Sequence, residues 1–410
     1  MTQQGPRRVV VTGLGAVTSI GIGAERFWAG LLEARSGISP IRSFDASAFR
    51  VRNGGEVHDF RAEEHLPSGA PPPRGRAARM AVAAAAQALA DAGLDGDAFF
   101  GERCGLAMGT TSGEPKEVER FDDAFVAERW NDIDAGLVET YPSQSIATSV
   151  AAAFGLEGPT TMIPAACAAG NYAVGYALDA LRWGRVDWML AGGADAFSRI
   201  TYTGFVRLGA VSPDVPRPFD RDRLGMIPGE GAGVLVLETL EGARRRGARI
   251  YAEVAGYGIA CDAHHMTAAH PEGDGLARAM RAALDDAGEN AEAVDYVSAH
   301  GTGTKTNDKL ETLALERAFG ERAATIPTSS IKSMLGHTMG AASALESIAC
   351  VLAIARGAVP PTANFREPDP ECRLDCVPNT ARELKVRLAI NNASAFGGNN
   401  ASVLFREAGA

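Results

Sequence analysis

The chain has 410 residues, 46% of them hydrophobic and 22% charged, with a formal net charge of −10. Domains usually span about 100–200 residues, so two fused lobes or one large layered unit are expected rather than one small core. The acidic balance excludes nucleic acid as the main partner, because a phosphate binder needs a basic face, and no run of about 18 apolar residues marks a membrane span or a signal peptide.

Strand-like and helical runs alternate along the chain. Arg8 to Gly13 is a β-branched run that ends in glycine and predicts a buried first strand. Glu25 to Glu33 and the Ala-rich stretch from Ala77 to Ala92 predict helices, and Cys104 to Gly109 a strand that leads into Thr110-Thr111-Ser112-Gly113. Ser143 to Phe154 is helical. A short apolar run from Thr160 to Ala166 then meets Cys167, and a helix follows to about Gly184. Val186 to Gly193, Gly233 to Leu240 and Arg249 to Tyr257 read as strands, the last two joined by the basic turn Ala243-Arg244-Arg245-Arg246-Gly247. Asp274 to Ala287 is a helix with Asp274 as its N-cap. Asp295 to Ala299 is a strand, Leu310 to Phe319 a helix, and Leu388 to Asn392 and Ala401 to Phe405 are closing strands around a Gly-rich turn. Such alternation predicts α/β layering, with a boundary between two halves near residues 250–260.

Six cysteines, Cys104, Cys167, Cys261, Cys350, Cys372 and Cys376, follow no framework spacing, which predicts reduced thiols and a cytoplasmic protein. Cys372 and Cys376 lack the nearby Cys or His pair that zinc would require, so no metal is expected.

Three segments can carry chemistry. In Pro164-Ala165-Ala166-Cys167-Ala168-Ala169-Gly170-Asn171 a thiol sits where a strand gives way to a helix. The positive end of the helix dipole favours a thiolate, and small neighbours leave room for a thioester; the competing reading is a buried, inert cysteine. In Ser298-Ala299-His300-Gly301-Thr302-Gly303-Thr304 a histidine opens a Gly/Thr loop that lets backbone approach a ligand closely, or else forms a plain turn. The loop lacks the spacing of a phosphate-binding P-loop. In the segment Ser330 to Ala342, Lys332 and His337 flank a glycine turn before an Ala-rich helix that carries Glu346. There a neutral imidazole near a helix N-terminus can donate to an oxyanion, or His337 simply caps the helix. One Cys and two His, all at strand–helix junctions, form the set needed for thioester chemistry.

Together with VVVTGLGAVTSIG, RPFDRDRLGMIPGEGAGVLVLE, DAHHMT and AFGGNN, these segments closely resemble the β-ketoacyl-acyl-carrier-protein synthases, over essentially the whole chain. The synthase II type and the ketosynthases of type II polyketide pathways are the nearest in pattern. The resemblance implies a thiolase-like five-layered fold of two pseudo-symmetric βαβαβ-type halves, 1–255 carrying the nucleophile and 256–410 the two histidines. It implies that Cys167 takes the acyl group and that His300 and His337 hold the malonyl thioester during decarboxylation. It also implies an oxyanion hole from the N–H groups of Cys167 and Phe396, support from Lys332 and Glu346, and contacts from Thr302, Thr304 and Thr267 to the phosphopantetheine arm. No bound cofactor is implied, the substrates being phosphopantetheine thioesters of acyl carrier protein. The expected assembly is a homodimer, or a heterodimer with a chain-length-factor-like subunit. Arg74, Arg76, Arg79 and Arg217 are candidates for a basic face that receives the acidic carrier.

The chain departs from the family pattern at several points. Ala165 stands in place of the usual Thr two residues before the nucleophile, and Asp222-Arg223-Leu224-Gly225-Met226 in place of D-R-D-G-F. In the gate, Asn392-Ala393-Ser394-Ala395-Phe396-Gly397-Gly398-Asn399-Asn400 replaces N-S-F-G-F-G-G-T-N, so Ser394 occupies the position of a Phe. Ser112 stands where a bulkier apolar residue often lines the acyl pocket. These changes predict an altered acyl tunnel, suited to polyketide or unsaturated chains. Among alternatives, a thiolase would pair one His with a second Cys, a non-catalytic chain-length factor would lack Cys167, and an unrelated Cys–His hydrolase would not carry Lys332 with the HGTGT loop.

Overall fold

The computed structural model describes residues 7–66, 72–94 and 101–409. Strand β1 (Val9–Thr18) does not stop at Gly13 but continues to Thr18. Gly13 and Gly15 lie within it because a helix crosses directly above; a Cβ on Gly15 would collide with the Ala84 carbonyl. The glycines that suggest an end in the sequence are therefore sites of close backbone approach.

Nine further strands complete the main path of the sheet: β2 (Cys104–Gly109), β3 (Thr160–Ile163), β4 (Trp188–Asp195), β5 (Gly231–Thr239), β6 (Ala252–Cys261), β7 (Tyr296–Ser298), β8 (Thr328–Ser329), β9 (Leu388–Ser394) and β10 (Asn399–Arg406). Their order is 3-2-4-5-1-6-10-9-7-8. In the first half β2 runs parallel to β3 and β4, while β4–β5 and β5–β1 are antiparallel. In the second half β7 runs parallel to β8 and β9, while β9–β10 and β10–β6 are antiparallel. One topology is thus used twice, five strands apart, and β1 joins the copies by pairing with β6 at Val9–Val254. The expected division after residue 255 falls inside β6.

Among the helices of the described residues, these flank the strands: α1 (Ala24–Leu32), α2 (Arg76–Asp91), α3 (Gln144–Phe154), α4 (Ala169–Arg182), α5 (Asp274–Ala287), α6 (Lys305–Phe319) and α7 (Ala342–Arg356). The strand period of two decides which helix each side chain meets. Leu106, Met108, Leu190, Val234 and Val236 face α2 and α3, whereas Ala107, Met189, Ala191, Leu235 and Leu237 face the middle, where α4 and α7 lie. In the second half Ala389, Val403 and Phe405 face that middle layer, and Ile390 and Leu404 face α5 and α6. The result is five layers, α-β-α-β-α.

Several local expectations need correction. β5 and β6, expected to be joined by a basic turn, are not neighbours in the sheet, because β1 lies between them. The connection is a short helix, Leu240–Arg245, capped by the Thr239 hydroxyl and anchored by Leu240 and Ala243 against Val10. Gly273, not Asp274, caps α5, and Asp274 pairs one turn later with Arg278. Helix α6 starts at Lys305 rather than Leu310, because the Thr304 hydroxyl accepts the Asn307 N–H and starts it earlier. The stretch Met339–Arg356 is long and apolar enough on average to cross a membrane, but Ser343, Glu346, Ser347 and Arg356 interrupt it and 83% of it is buried within the fold. It forms the core of the middle layer.

Helices α4 and α7 nearly touch. A Cβ on Gly170 would lie 2.5 Å from the Ala344 nitrogen. Next to this contact the Asn171 amide donates to the Asn391 and Ala401 carbonyls, the Asn391 amide donates to Asn171 Oδ1, Ser347 Oγ and the Ser343 carbonyl, and Ser343 Oγ accepts the Asn171 N–H. A buried, hydrogen-bonded network of this kind fixes register as apolar packing alone does not. Overpacking at the contact costs about 1–3 kcal/mol. Gly170→Ala should therefore lose about that much stability in urea titration, and Cys167 reactivity should change in the same variant because the helix start moves.

Candidate active site

Five strand ends converge on the start of α4. Beyond β3 the chain passes through Ala166, held at φ 49°, into a 3-10 turn, Ala166–Ala168, with Cys167 at its centre. Beyond β8 it passes through Lys332 and His337 to Met339, held at φ 55°, and a second 3-10 turn, Met339–Ala341, opens α7. Non-glycine residues at positive φ are costly and persist where surrounding contacts over-determine them. His300 follows β7, Phe396 follows β9, and Asp195 ends β4. The Cys167 sulfur and one ring nitrogen from each of His300 and His337 lie within 4.8 Å of one another. The two rings meet edge to face at 5.5 Å.

The electrostatics depart from the sequence expectation at Cys167. Burial pushes its thiol up to about 12, with Lys332 pulling it back and the Asp195 charge adding to the rise. A helix terminus is worth at most about 2 kcal/mol, or about 1.5 pKa units, so the dipole does not outweigh the loss of water. Half-buried Cys167 is thus shifted toward the thiol, against the thiolate expected of a helix start.

Both histidines are neutral near pH 7. Burial, then Lys332, hold each pKa well below the ordinary imidazole value, and for His300 the neighbouring His337 adds to this. The Met339 N–H donates to His337 Nδ1 at 3.1 Å, and Lys332 Nζ donates to His300 Nδ1 at 3.4 Å. With Nδ1 accepting in both rings, each neutral ring carries its proton on Nε2. The site therefore presents two N–H donors beside a thiol. A cation held by Cys167, His300 and His337 would need both of those protons removed, next to Lys332, so the donor set suits an oxyanion and not a metal.

Lys332 Nζ is also bound to Glu346 Oε1, both residues being buried. Burial raises the Glu346 carboxyl, and Lys332 opposes the rise. Glu311 on α6 accepts the His300 and Gly301 N–H groups, each at 2.7 Å, and burial pushes its carboxyl up to about 7.

The remaining expected residues lie around this centre with mixed outcomes. Thr302 is buried, with its hydroxyl 3.0 Å from that of Thr304, which also caps α6. Thr267 is exposed on a loop that meets the gate through the Gly397 N–H to Met266 carbonyl bond, and its hydroxyl lies 3.4 Å from His265 Nδ1. Phe396 is 43% exposed and stacks obliquely on Phe205 at 6.0 Å. Ala393 and Ala395 pack on Ala168, which sets the gate strand beside the cysteine turn. Ser394 does not offer a free hydroxyl: it donates to Asn400, which in turn donates to Asp262. Ser112 is exposed, with its N–H on Asp195.

The basic face needs correction. Arg217 is buried and bound to Asp214 through both terminal nitrogens. Arg76 is bound at 2.6 Å to the buried Glu230. Arg74 is exposed but sits between Asp134 and Glu139. All three are neutralised by carboxylates: Glu230, and Asp134 with Glu139, lie far away in sequence, whereas Asp214 stands three residues before Arg217. Arg79, half-buried, has its Nε on the Pro73 carbonyl and no carboxylate partner among the described residues. Cys372 and Cys376 pack with Phe219 and Ala299 in a small core.

Sequence reasoning missed Asp195, Glu311, Asn171 and Asn391. A lone carboxylate that ends an apolar strand after two glycines, as in Ala191-Gly192-Gly193-Ala194-Asp195, is the one signal that pointed to any of them.

A five-layered α/β fold that centres a thiol between two neutral imidazole donors defines a thioester-condensing enzyme. The model of the β-ketoacyl synthase N-terminal domain matches residues 6–243, and that of the C-terminal domain residues 251–366. The tetracenomycin polyketide synthase ketoacyl synthase alpha subunit of Streptomyces glaucescens is 42% identical over 99% of both chains. The 3-oxoacyl-[acyl-carrier-protein] synthase 2 of Synechocystis is 41% identical over 98% of both. The solved ishigamide ketosynthase/chain length factor superposes with a TM-score of 0.95 at 48% identity, covering 99% of this chain and all of that one. The chain belongs to the β-ketoacyl synthase family. It is an acyltransferase that condenses an acyl thioester with malonyl-acyl-carrier protein in fatty-acid or polyketide synthesis, on phosphopantetheine thioester substrates.

With the thiol near 12, the alkylation rate of Cys167 by iodoacetamide should rise about tenfold per pH unit from pH 6.5 to 9.5 without a plateau, because only the thiolate reacts. A plateau below pH 8 would restore the thiolate reading. With both imidazoles already neutral, decarboxylation of malonyl-carrier, which does not require the thiolate, should hold as pH falls from 7.5 through 6.5, and a decarboxylation kcat that halves at 6.5 would contradict the lowered values.

Proposed function

We propose that Cys167 is the acyl carrier and that His300 and His337 bind the malonyl thioester oxygen. The observation that carries this reading is the 4.8 Å grouping of the sulfur with two ring nitrogens, in rings whose Nδ1 atoms are both occupied. In the first step the Cys167 sulfur attacks the acyl carbonyl, and the carrier thiol leaves with the proton the cysteine loses. No imidazole nitrogen is free to take that proton, so it passes to the departing thiol. In the second step malonyl-carrier enters and the two Nε2–H groups hold its thioester oxygen. Carbon dioxide departs, and the electron pair it leaves is held as the enolate. That carbanion attacks the acyl-Cys167 carbonyl, forming the new carbon–carbon bond and releasing the sulfur as a thiolate, which takes a proton from water to restore the resting thiol. The N–H groups of Cys167 and Phe396 serve as the oxyanion hole for both attacks, Lys332 and Glu346 hold His300 in its tautomer, and Thr302, Thr304 and Thr267 line the path of the pantetheine arm. The nucleophile belongs to the half 1–255 and both histidines to the half 256–410.

We place the enzyme in the cytoplasm and in polyketide or unsaturated-chain synthesis, with Ser112 and Ser394 shaping the tunnel. Support comes from the 48% identity to the ishigamide ketosynthase/chain length factor. A further solved relative, 34% identical over 99% of this chain, is a type II polyketide ketosynthase in complex with its acyl-carrier protein. The assembly that follows is a pair with a chain-length-factor-like subunit, visited by an acidic carrier protein whose landing face includes Arg79.

Intact-mass analysis of wild type and Cys167→Ala with acyl-carrier thioesters of several lengths tests the reading. An adduct on wild type alone, discharged as β-keto product on addition of malonyl-carrier, is the expected result. Its absence with every chain, also after co-expression with a partner subunit, would remove Cys167 from its role. A chain-length profile identical to that of an ordinary fatty-acid elongase would remove the polyketide assignment. Arg79→Glu should raise KM for carrier substrates about tenfold, the scale of one lost charge contact, with kcat unchanged; an unchanged KM takes Arg79 off the landing face.

A further inference from the structure

Asp195 is 1% exposed and has no cationic partner among the described residues. Its two oxygens instead accept four neutral donors. Oδ1 takes the Thr110 hydroxyl at 2.8 Å and the Ser112 N–H at 3.2 Å. Oδ2 takes the Thr111 N–H at 2.7 Å and the Gly340 N–H at 2.6 Å. Even with four donors, burial pushes the carboxyl up to about 6. A buried carboxylate without a cation is a costly way to fill space, and the same position also raises the Cys167 thiol.

Its donors come from two places that must agree. Thr110 to Ser112 form the loop after β2, which carries the expected acyl-pocket residue. Gly340 belongs to the turn after His337, in the other half of the fold. Between them stands Met339 in its left-handed conformation, with its own N–H on His337 Nδ1. The strained residue is therefore held at both ends, on one side by the imidazole and on the other by Asp195 through the next peptide.

The geometry points to Asp195 as a positioning residue for the condensation, which holds the Met339–Gly340 turn so that His337 keeps its ring orientation, and ties that turn to the acyl-pocket loop. The inference rests on the reading of His337 given above. All four hydrogen bonds of Asp195 go to Thr110, Thr111, Ser112 and Gly340 and none to the Cys167 sulfur, so it acts through His337 and belongs to the malonyl side of the reaction. Cys167 is placed by β3, by the start of α4 and by the Asn171–Ser343 bond, none of which is hydrogen-bonded to Asp195.

The two half-reactions separate these roles. Acyl transfer to Cys167 is read by intact mass, and decarboxylation of malonyl-carrier by carbon dioxide release. Asp195→Ala removes all four hydrogen bonds and should lower decarboxylation kcat about 100-fold, the scale of an ångström misplacement, with acyl transfer slowed by no more than about threefold. Asp195→Asn can keep the Thr111 and Gly340 N–H groups on its single oxygen and donate to the Thr110 hydroxyl. It should recover decarboxylation to within about tenfold of wild type, and it preserves shape if the alanine variant does not fold. Equal losses in both half-reactions, or unaltered decarboxylation in Asp195→Asn together with a folded, fully active Asp195→Ala, would overturn the proposal. His337→Ala in the same assay distinguishes the other failure: full decarboxylation there would sink the role of His337 itself.

Discussion

The contact between α4 and α7 is the constraint on which the site depends. Cys167 starts one of these helices and the His337 turn starts the other, so the distance from nucleophile to donor is set by how the two helices lie together. Apolar packing sets such a distance only loosely, because methyl groups slide. Gly170 removes the side chain that would hold the helices apart, and the Asn171–Asn391–Ser343–Ser347 bonds then leave one register in which every donor is met. Strands β9 and β10 join the same network through the Asn391 and Ala401 carbonyls, so the gate strand is referred to the same point.

Burial at that point also chooses the protonation states. A thiol, two neutral imidazoles and one compensated Lys–Glu pair carry little net charge between them. Such a site receives a neutral acyl thioester without a desolvation penalty for the enzyme's own groups. Charge then develops on the substrate, at the enolate oxygen, in a place where N–H donors are already aimed and water is scarce. The helix dipole at Cys167 is better understood as a contribution to that later charge than as a means of ionising the sulfur at rest.

Much of this was legible in the chain. The alternation of strands and helices predicts the layers, and the Cys167, His300 and Lys332–His337 segments stand out because reactive side chains fall at strand–helix junctions among small residues. What could not be read was whatever depends on a partner far away in sequence. The glycines of β1 resemble a strand end until α2 is placed over them, and β5 and β6 resemble strands joined by a turn until β1 is placed between them. Arg76 looks like surface charge until Glu230 is seen to neutralise it, 154 residues away. The thiolate expectation failed for a related reason: the helix start is local and visible, whereas burial is a property of the whole fold. Asn171 and Asn391 are 220 residues apart, and neither carries a local sign of the other.

The two left-handed residues, Ala166 and Met339, each stand three positions before a middle-layer helix. They mark the same bend in the two copies of the topology, which makes Cys167 and Gly340 counterparts. One copy of the bend exposes a sulfur; the other exposes only a peptide N–H, which faces Asp195. A symmetric frame has in this way been given unequal duties. The half that forms the covalent bond carries a sulfur at this bend where the half that steadies the donor has Gly340, so the direction of the reaction, from acyl-loaded sulfur toward incoming carbanion, is written as a broken symmetry rather than as two separately invented sites.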